Sequence, residues 1–299
     1  IGKVCHVINN DATPDKLRFV DVEHVIVTRE EMAKRGWPKA SAAIILDGNE
    51  ISRIGALRSF LDENQVEVFF IDHHMSHSDL RERYFVDEGA SAIGEMLYRF
   101  LEWRGEGDLI DYSIALGMYV SILTDTSSFR FSRTTAKSHL IAADLLSRGV
   151  DPEAVYQNIY AMHTPSRMSL LGELLSNIHL DCDGQLAWIE LTEHLLNLYG
   201  TTPEETEGLI DQIMLLKNVE LGAFFREDAA GKVKVSLRSK GKIPIHTVAA
   251  HFGGGGHKYA AGMTLAGDFR EVTDRVVEAL RQLLVKSGNS AVQKLTPRR

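Results

Sequence analysis

Ala42-Ala43-Ile44-Ile45-Leu46 is apolar at every position and is followed at once by Asp47. Val66-Glu67-Val68-Phe69-Phe70-Ile71 is followed at once by Asp72-His73-His74. A half-exposed strand alternates apolar and polar residues, whereas a run that does not alternate marks a strand covered on both faces, as in parallel sheets. Residues 4–8 and 25–27 are shorter runs of the same kind, and residues 51–64 fit a crossover helix between two strands. The first half of the chain therefore reads as an α/β domain built on a parallel sheet. Ligands of such sheets lie beyond the carboxyl ends of the strands, which is where Asp47, Asp72, His73 and His74 stand.

Helical patterns follow over residues 91–103, 111–123, 134–147 and 152–160. Gly149 closes the third, and Asp151-Pro152 opens the fourth with a cap and a first-turn proline. Residues 164–177 read as a connecting helix. Beyond it, residues 178–180 and 186–191 flank Asp181-Cys182-Asp183-Gly184, and residues 219–226 and 232–237 flank a second turn at 227–231, giving two hairpins. Helices at 203–216 and 269–284 complete a smaller α+β domain. The expected boundaries are 1–163 for the first domain, 164–177 for the connector and 178–285 for the second domain, with a polar, disordered tail over 286–299.

The net charge of −8 excludes a general binder of long duplex nucleic acid, which needs a basic face. A short nucleotide remains compatible with a few local cations and a metal. Cys5 and Cys182 form neither a zinc pattern nor a disulfide framework and fit a reducing cytoplasm. No apolar stretch reaches a membrane-spanning length, and no signal peptide is visible.

Carboxylates mixed with imidazoles suit Mn²⁺, Mg²⁺ or Zn²⁺. Asp47, His73 and Asp125, the last at the end of an apolar helix in Leu123-Thr124-Asp125-Thr126, are the candidate ligands. Taken singly, each has an ordinary alternative. Asp47 can cap a helix, His73 can be a core histidine bonded to a carbonyl, and Asp125 can cap the turn after its helix. Three consecutive polar groups at a buried strand end need partners, and a metal supplies one.

Gly253-Gly254-Gly255-Gly256-His257 is the second cassette. Glycines let a backbone approach an anion closely and point successive N–H groups at it, although a short glycine run can also be a plain loop. Arg238, at the end of a strand in the same domain, can hold a phosphate with its guanidinium fork; alone, it reads better as a surface arginine making no specific contact.

These two cassettes in this order, with Thr124-Asp125-Thr126 between them, resemble the DHH phosphoesterase superfamily, and Gly254 to Gly262 is similar to its DHH-associated substrate-binding domain. The resemblance runs from the first strand to about residue 284. Thr124-Asp125-Thr126-Ser127-Ser128-Phe129-Arg130-Phe131 resembles the bacterial bifunctional oligoribonuclease/PAP phosphatases. The resemblance implies cleavage of very short RNA to mononucleotides and removal of the 3′-phosphate from 3′-phosphoadenosine 5′-phosphate. It implies Mn²⁺, with two ions in the complete protein and Mg²⁺ as the other choice. Asp47 would bridge the ions, and His73 and Asp125 would complete one site. Asp72 would orient a ligand from behind, and His74 would contact the scissile phosphate or move a proton. Arg238, Gly254, Gly255, Gly256 and His257 would hold the substrate, with Arg130 and Ser91 as further lining residues.

The family's first motif, a His followed by Pro-Asp-x-Asp, is absent, and the resemblance places it upstream of Ile1; the chain is expected to be truncated there. The alternatives are another hydrolase of the superfamily (a cyclic dinucleotide phosphodiesterase, a single-strand exonuclease or a pyrophosphatase) and a nucleotide-binding module without catalysis. The oligomeric state is left open, a homodimer included.

Overall fold

The computed structural model describes residues 3–48, 54–74, 83–228 and 231–295, with side chains through residue 287. Two compact units make up the chain, Ile1–Met162 and His163–Arg299.

In the first unit, β1 (Val7–Asn9) pairs in parallel with β2 (Ile26–Thr28). Thr28 ends β2 and starts α1 (Arg29–Arg35): its hydroxyl accepts the Glu31 N–H while the Glu31 carboxylate accepts the Thr28 N–H. Two orphan donors are satisfied reciprocally, which fixes the start of the helix. Next come β3 (Ala42–Leu46), α2 (Leu57–Glu63), β4 (Glu67–Asp72) and β5 (Tyr84–Val86). These three strands form a parallel sheet in the order β3-β4-β5, with Leu46 opposite Ile71 and Asp72 opposite Val86.

Both sheets are parallel, as the apolar runs imply, but the described strands form two separate sheets. The reading of strands covered on both faces also needs correction. Val68 and Phe70 pack with Leu61, Ala43 and Ile45 on one face, whereas Ile44, Leu46, Phe69 and Phe85 on the other are exposed. An apolar run reports what a strand tolerates around it; it does not say which neighbours arrive. The crossover helix is shorter than expected, and residues 51–53 of that expectation lie outside the described ones.

A helical layer follows: α3 (Ile93–Trp103), α4 (Tyr112–Asp125), α5 (Ala136–Ser147) and α6 (Pro152–Tyr160). α4 is apolar on almost every side and forms the centre of this layer, with Ala115, Leu116, Tyr119, Ile122 and Leu123 buried against Leu145 and Val155. A helix hydrophobic all round is a core helix. Caps at Asp111, Thr135 and Asp151 set where α4, α5 and α6 begin, each side chain accepting an N–H from the first turn.

In the second unit, α7 (Pro165–Ser176) begins at a Thr164 cap and a first-turn proline. Then follow β6 (His179–Asp181), β7 (Leu186–Leu191), α8 (Glu193–Leu198), α9 (Leu209–Ile213), β8 (Leu221–Asp228), β9 (Lys232–Ser239), α10 (His246–His251), β10 (Gly255–His257), β11 (Ala260–Ala266) and α11 (Phe269–Leu295). One sheet holds all six strands in the order β10-β11-β9-β8-β7-β6. Only β7 and β8 pair in parallel, and they are joined by the long connection through α8 and α9 that parallel neighbours require. Cys182, Asp183 and Gly184 turn the first hairpin with φ of 50°, 55° and 79°. One sheet face buries Ala223, Phe225, Val235, Leu237 and Met263 against α10 and α11. The other buries Ile189, Leu191 and Phe224 against α7 and α9.

Two expectations change here. The helix expected over 203–216 is broken, because Gly208 takes φ of 77° ahead of the short α9. The segment after residue 286, expected as a disordered tail, continues α11 to Leu295. Once a helix is nucleated, each added residue gains one hydrogen bond, so polar sequence can extend it; residues 296–299 lie outside the described ones. Among the described residues, no helix is long and apolar enough to cross a membrane.

Ile122 is fully buried in α4 and Leu140 is 72% exposed on α5. Ile122→Ala should cost about 2–5 kcal/mol in urea unfolding through transfer and cavity terms, while Leu140→Ala should stay within about 0.5 kcal/mol. Equal effects would contradict this packing.

Candidate functional site

The end of β4 carries the chemistry of the first unit. Asp72 is its last residue and is fully buried; its Oδ1 accepts the His74 N–H at 2.8 Å and contacts His74 Nδ1 at 2.6 Å. Asp47 follows β3, the neighbouring strand, and its N–H donates to the Ile71 carbonyl at 3.0 Å. Its φ of 57° is a left-handed conformation, which Asp tolerates better than most residues. That turn brings Asp47 Oδ1 to 3.3 Å from both His73 Nε2 and His74 Nδ1. Asp125, at the C-terminal end of α4, places Oδ2 at 3.5 Å from His73 Nε2. The three expected ligands therefore meet at one imidazole.

His73 is 1% exposed. Its Nδ1 lies 3.4 Å from the Ala90 carbonyl oxygen, which can only accept. If Nδ1 donates to that carbonyl, Nε2 turns a lone pair towards the two carboxylates, the state that a cation between them requires. Nε2 is close to both but aligned for a hydrogen bond with neither, so it is a buried nitrogen without a hydrogen-bond partner, and Asp72 Oδ2 is a buried oxygen in the same condition. Such orphans are costly. Asp47, Asp72, His73 and His74 bring one donor atom each within 4.8 Å of one another. Asp125 stands outside that foursome and reaches the cluster through His73. All the donors are carboxylate or imidazole, so the residues present fit a divalent cation of the Mn²⁺, Mg²⁺ or Zn²⁺ type.

The electrostatics agree. Contact with His73, and then with His74, holds the Asp47 carboxyl well below the usual carboxylate range. The bond to Asp47 raises His74, against the opposing effect of burial, and Asp72 adds to the rise. Burial, followed by the charge of Asp47, pushes Asp125 up. Two carboxylates crowd one imidazole, and added positive charge would offset the rise at Asp125.

The remaining first-unit expectations divide. Ser91 is fully buried, and its hydroxyl donates to Glu95 Oε2 at 2.7 Å. This corrects its expected place lining a binding surface, since a hydroxyl closed off by its own carboxylate partner cannot meet a ligand. Arg130 is exposed, and its guanidinium is turned back onto Ser127, with bonds of 2.9 Å to the carbonyl and 2.7 Å to the hydroxyl. Sequence reasoning missed Arg133, whose Nη1 lies 3.4 Å from His73 Nδ1 and whose charge opposes the rise at Asp125. The available signal was a cation in the loop that follows Asp125.

In the second unit, the glycine cassette is largely strand. Gly255, Gly256 and His257 pair with Gly262, Ala261 and Ala260 of β11, and Ala260 in turn sits opposite Arg238 of β9. His257, Ala260 and Arg238 thus form one row across the sheet. A loop cradle was expected; instead the run is in part tied into the ladder. The glycines serve two purposes. A Cβ on Gly254 would lie 2.3 Å from the Gly262 oxygen, and one on Gly256 would lie 2.7 Å from Ala260 oxygen and Ala261 Cα, so these two let the strands close. A Cβ on Gly255 would meet nothing within 4 Å. Packing within the chain does not require a glycine there, and the opposite face is open to a ligand.

Arg238 is half-buried, with Nε 3.3 Å from Asp211 Oδ1 on α9 and Nη1 donating to the Leu237 carbonyl at 3.2 Å. The segment around it, residues 231–267, holds Lys232, Lys234, Arg238, Lys240, Lys242 and Lys258 and no Asp or Glu, in a chain of net charge −8. The acidic protein is therefore locally basic over this stretch, and the cassette lies inside it.

Comparison with known proteins agrees with both halves. The DHHA1 domain family matches residues 193–286. A bifunctional oligoribonuclease and PAP phosphatase NrnA of Thermus thermophilus is 32% identical over 259 residues, covering 84% of this chain and 74% of that protein. The Bacillus subtilis protein of the same description is 28% identical over 196 residues, covering 65% of this chain and 61% of that one. A crystal structure of an exopolyphosphatase-related protein from Bacteroides fragilis superposes with a TM-score of 0.84 at 29% identity, over 95% of this chain and 83% of its own. With a strand end that bears Asp72-His73-His74, a DHHA1 domain later in the sequence and a relative at this level of identity, the chain belongs to the DHH family, among its NrnA-like members.

Proposed function

We propose that this protein is a metal-dependent phosphoesterase that degrades short oligoribonucleotides to mononucleotides and removes the 3′-phosphate of 3′-phosphoadenosine 5′-phosphate. The observation that carries the reading is the buried Nε2 of His73, without a hydrogen-bond partner and facing the carboxylates of Asp47 and Asp125. The Thermus and Bacillus relatives, described as bifunctional oligoribonucleases and PAP phosphatases, support the substrate class.

Asp47, His73 and Asp125 would hold the divalent ion, with Asp47 the carboxylate open to bridging a second; Mn²⁺ is the metal we favour. Such an ion supplies a more acidic bound water and neutralises charge on phosphoryl oxygens. The chain's own groups do the rest. Asp72 fixes the ring of His74 through Nδ1, and His74, raised by Asp47 and Asp72, is the group that would give a proton to a departing oxygen. Arg133 adds a cation at the back of His73. In the second unit, Asp211 holds Arg238 at Nε and the Leu237 carbonyl takes an N–H of Nη1, so Nη2 would serve a phosphate, alongside Gly255 and His257. Gly254 and Gly256 would contribute by letting β10 close on β11. The locally basic stretch around them attracts a short polyanion without making the protein a general nucleic-acid binder.

The direct test is a substrate panel with Mn²⁺: pApA, a trinucleotide RNA, 3′-phosphoadenosine 5′-phosphate, cyclic di-AMP and pyrophosphate. Turnover of the first three ahead of the others is expected; turnover of only the last two would replace this reading.

His73→Ala should bring Mn²⁺-dependent turnover down to background, with normal turnover contradicting the ligand assignment. Arg238→Ala should raise KM roughly tenfold or more with kcat little changed, because charge-assisted bonds are worth about 1.5–3 kcal/mol; an unaltered KM would remove Arg238 from the binding face. Binding of Mn²⁺, followed by calorimetry, should weaken between about pH 8 and about pH 6. The sign follows from His74: its raised pKa keeps a proton beside Asp47 as pH falls, and a cation at Asp47 must displace or repel that proton. An affinity flat across this range would contradict the coupling.

A further inference from the structure

Glu95 is a carboxylate at 3% exposure in the first full turn of α3, and the proposed chemistry makes no use of it. Its surroundings explain why it tolerates burial. Oε2 accepts the Ser91 N–H at 3.1 Å and the Ser91 hydroxyl at 2.7 Å, and the Ser138 hydroxyl lies 3.3 Å away. Ser138 also bonds Ser91 Oγ at 3.1 Å, and both serines are fully buried. The nearest cation, Arg99, is 3.9 Å from Oε1 and is committed to Asp87, at 2.5 Å. Glu95 is thus paired chiefly with hydrogen-bond donors from two other segments.

Those segments converge on His73. Ser91 is directly bonded in sequence to Ala90, whose carbonyl faces His73 Nδ1. The loop before it is tied to the same strand end, since the Asp87 N–H donates to the Asp72 carbonyl and the Ala90 N–H to the Asp87 carbonyl. Ser138 lies in the first turn of α5, whose Thr135 cap it completes, directly after the loop that carries Arg133. One buried carboxylate therefore joins the loop that presents a carbonyl to His73 Nδ1 to the helix start behind the loop that presents a guanidinium to the same nitrogen.

We propose that Glu95 is a positioning residue for the His73 imidazole: by clamping Ser91 and Ser138 it holds the Ala90 carbonyl against Nδ1, fixes the Nδ1–H tautomer and keeps Nε2 aimed at Asp47 and Asp125. The inference rests on the reading of His73 as a metal ligand. A partner on the far ring nitrogen sets tautomer and ring direction, and its loss typically weakens metal binding ten- to a hundredfold.

The test uses the full chain. Mn²⁺ affinity by calorimetry, urea unfolding and long-range ¹⁵N–¹H spectra of the imidazoles in metal-free protein are compared for the wild type, Glu95→Ala and Glu95→Gln. The wild type should show His73 protonated at Nδ1. Glu95→Ala should lose that single tautomer and bind Mn²⁺ about ten- to a hundredfold more weakly. Glu95→Gln, whose amide oxygen still accepts both Ser91 donors, should stay within a few-fold of wild type. Should Glu95→Ala fail to fold, Ser91→Ala, which keeps the backbone bond, should show the same changes at smaller size. A folded Glu95→Ala or Ser91→Ala protein that unfolds more easily yet keeps the tautomer and the affinity would overturn the proposal and leave Glu95 a structural clamp only. A wild type that binds no Mn²⁺ would instead bring down the metal reading itself.

Discussion

A buried imidazole between two carboxylates is the constraint on which the first unit depends. His73 is almost fully enclosed, and its inward nitrogen has no hydrogen-bond partner. Every element around it is arranged to make that position tolerable. β3 brings Asp47 and the end of α4 brings Asp125, while the loop ahead of α3 brings the Ala90 carbonyl to the other nitrogen. The parallel sheet makes this convergence cheap, since adjacent strands running the same way deliver their carboxyl ends to one place.

The second unit meets a different demand with glycine. Gly254 and Gly256 are needed because a Cβ at either would lie 2.3 or 2.7 Å from the backbone of β11, whereas Gly255 faces open space. Alternation along a strand separates the two roles. The open face has Arg238 and His257 in one row of the sheet, set in a stretch without acidic residues. An overall acidic protein can in this way engage an anion locally.

Much of this was legible in the sequence, and the reasons are specific. Asp47 and Asp72-His73-His74 follow apolar runs, so strand-end placement could be read directly, and the structure brings these four together with Asp125 reaching them through His73. Pro152–Tyr160 was readable from its cap and first-turn proline, and Ala42–Leu46 from its unbroken apolar run. Ser91 and Arg130 were harder. A serine before a helix looks the same in sequence whether it meets a ligand or a buried Glu95, and an arginine in a loop does not announce that it bonds Ser127. Arg133 was missed because its partner is sixty residues away.

The sequence by itself determined residue chemistry and local geometry: which residues carry ligand atoms, which runs extend, where helices start, and that Gly254 to His257 is unusual. These depend on neighbours within a few positions, through dihedral preference, capping and periodicity. Only the tertiary structure decided that one face of the β3-β4-β5 sheet stays exposed, that the glycine run joins a ladder, and that Ser91 points inward to Glu95. Those outcomes rest on contacts between segments far apart in the chain, and burial and hydrogen-bond satisfaction are properties of the assembled neighbours.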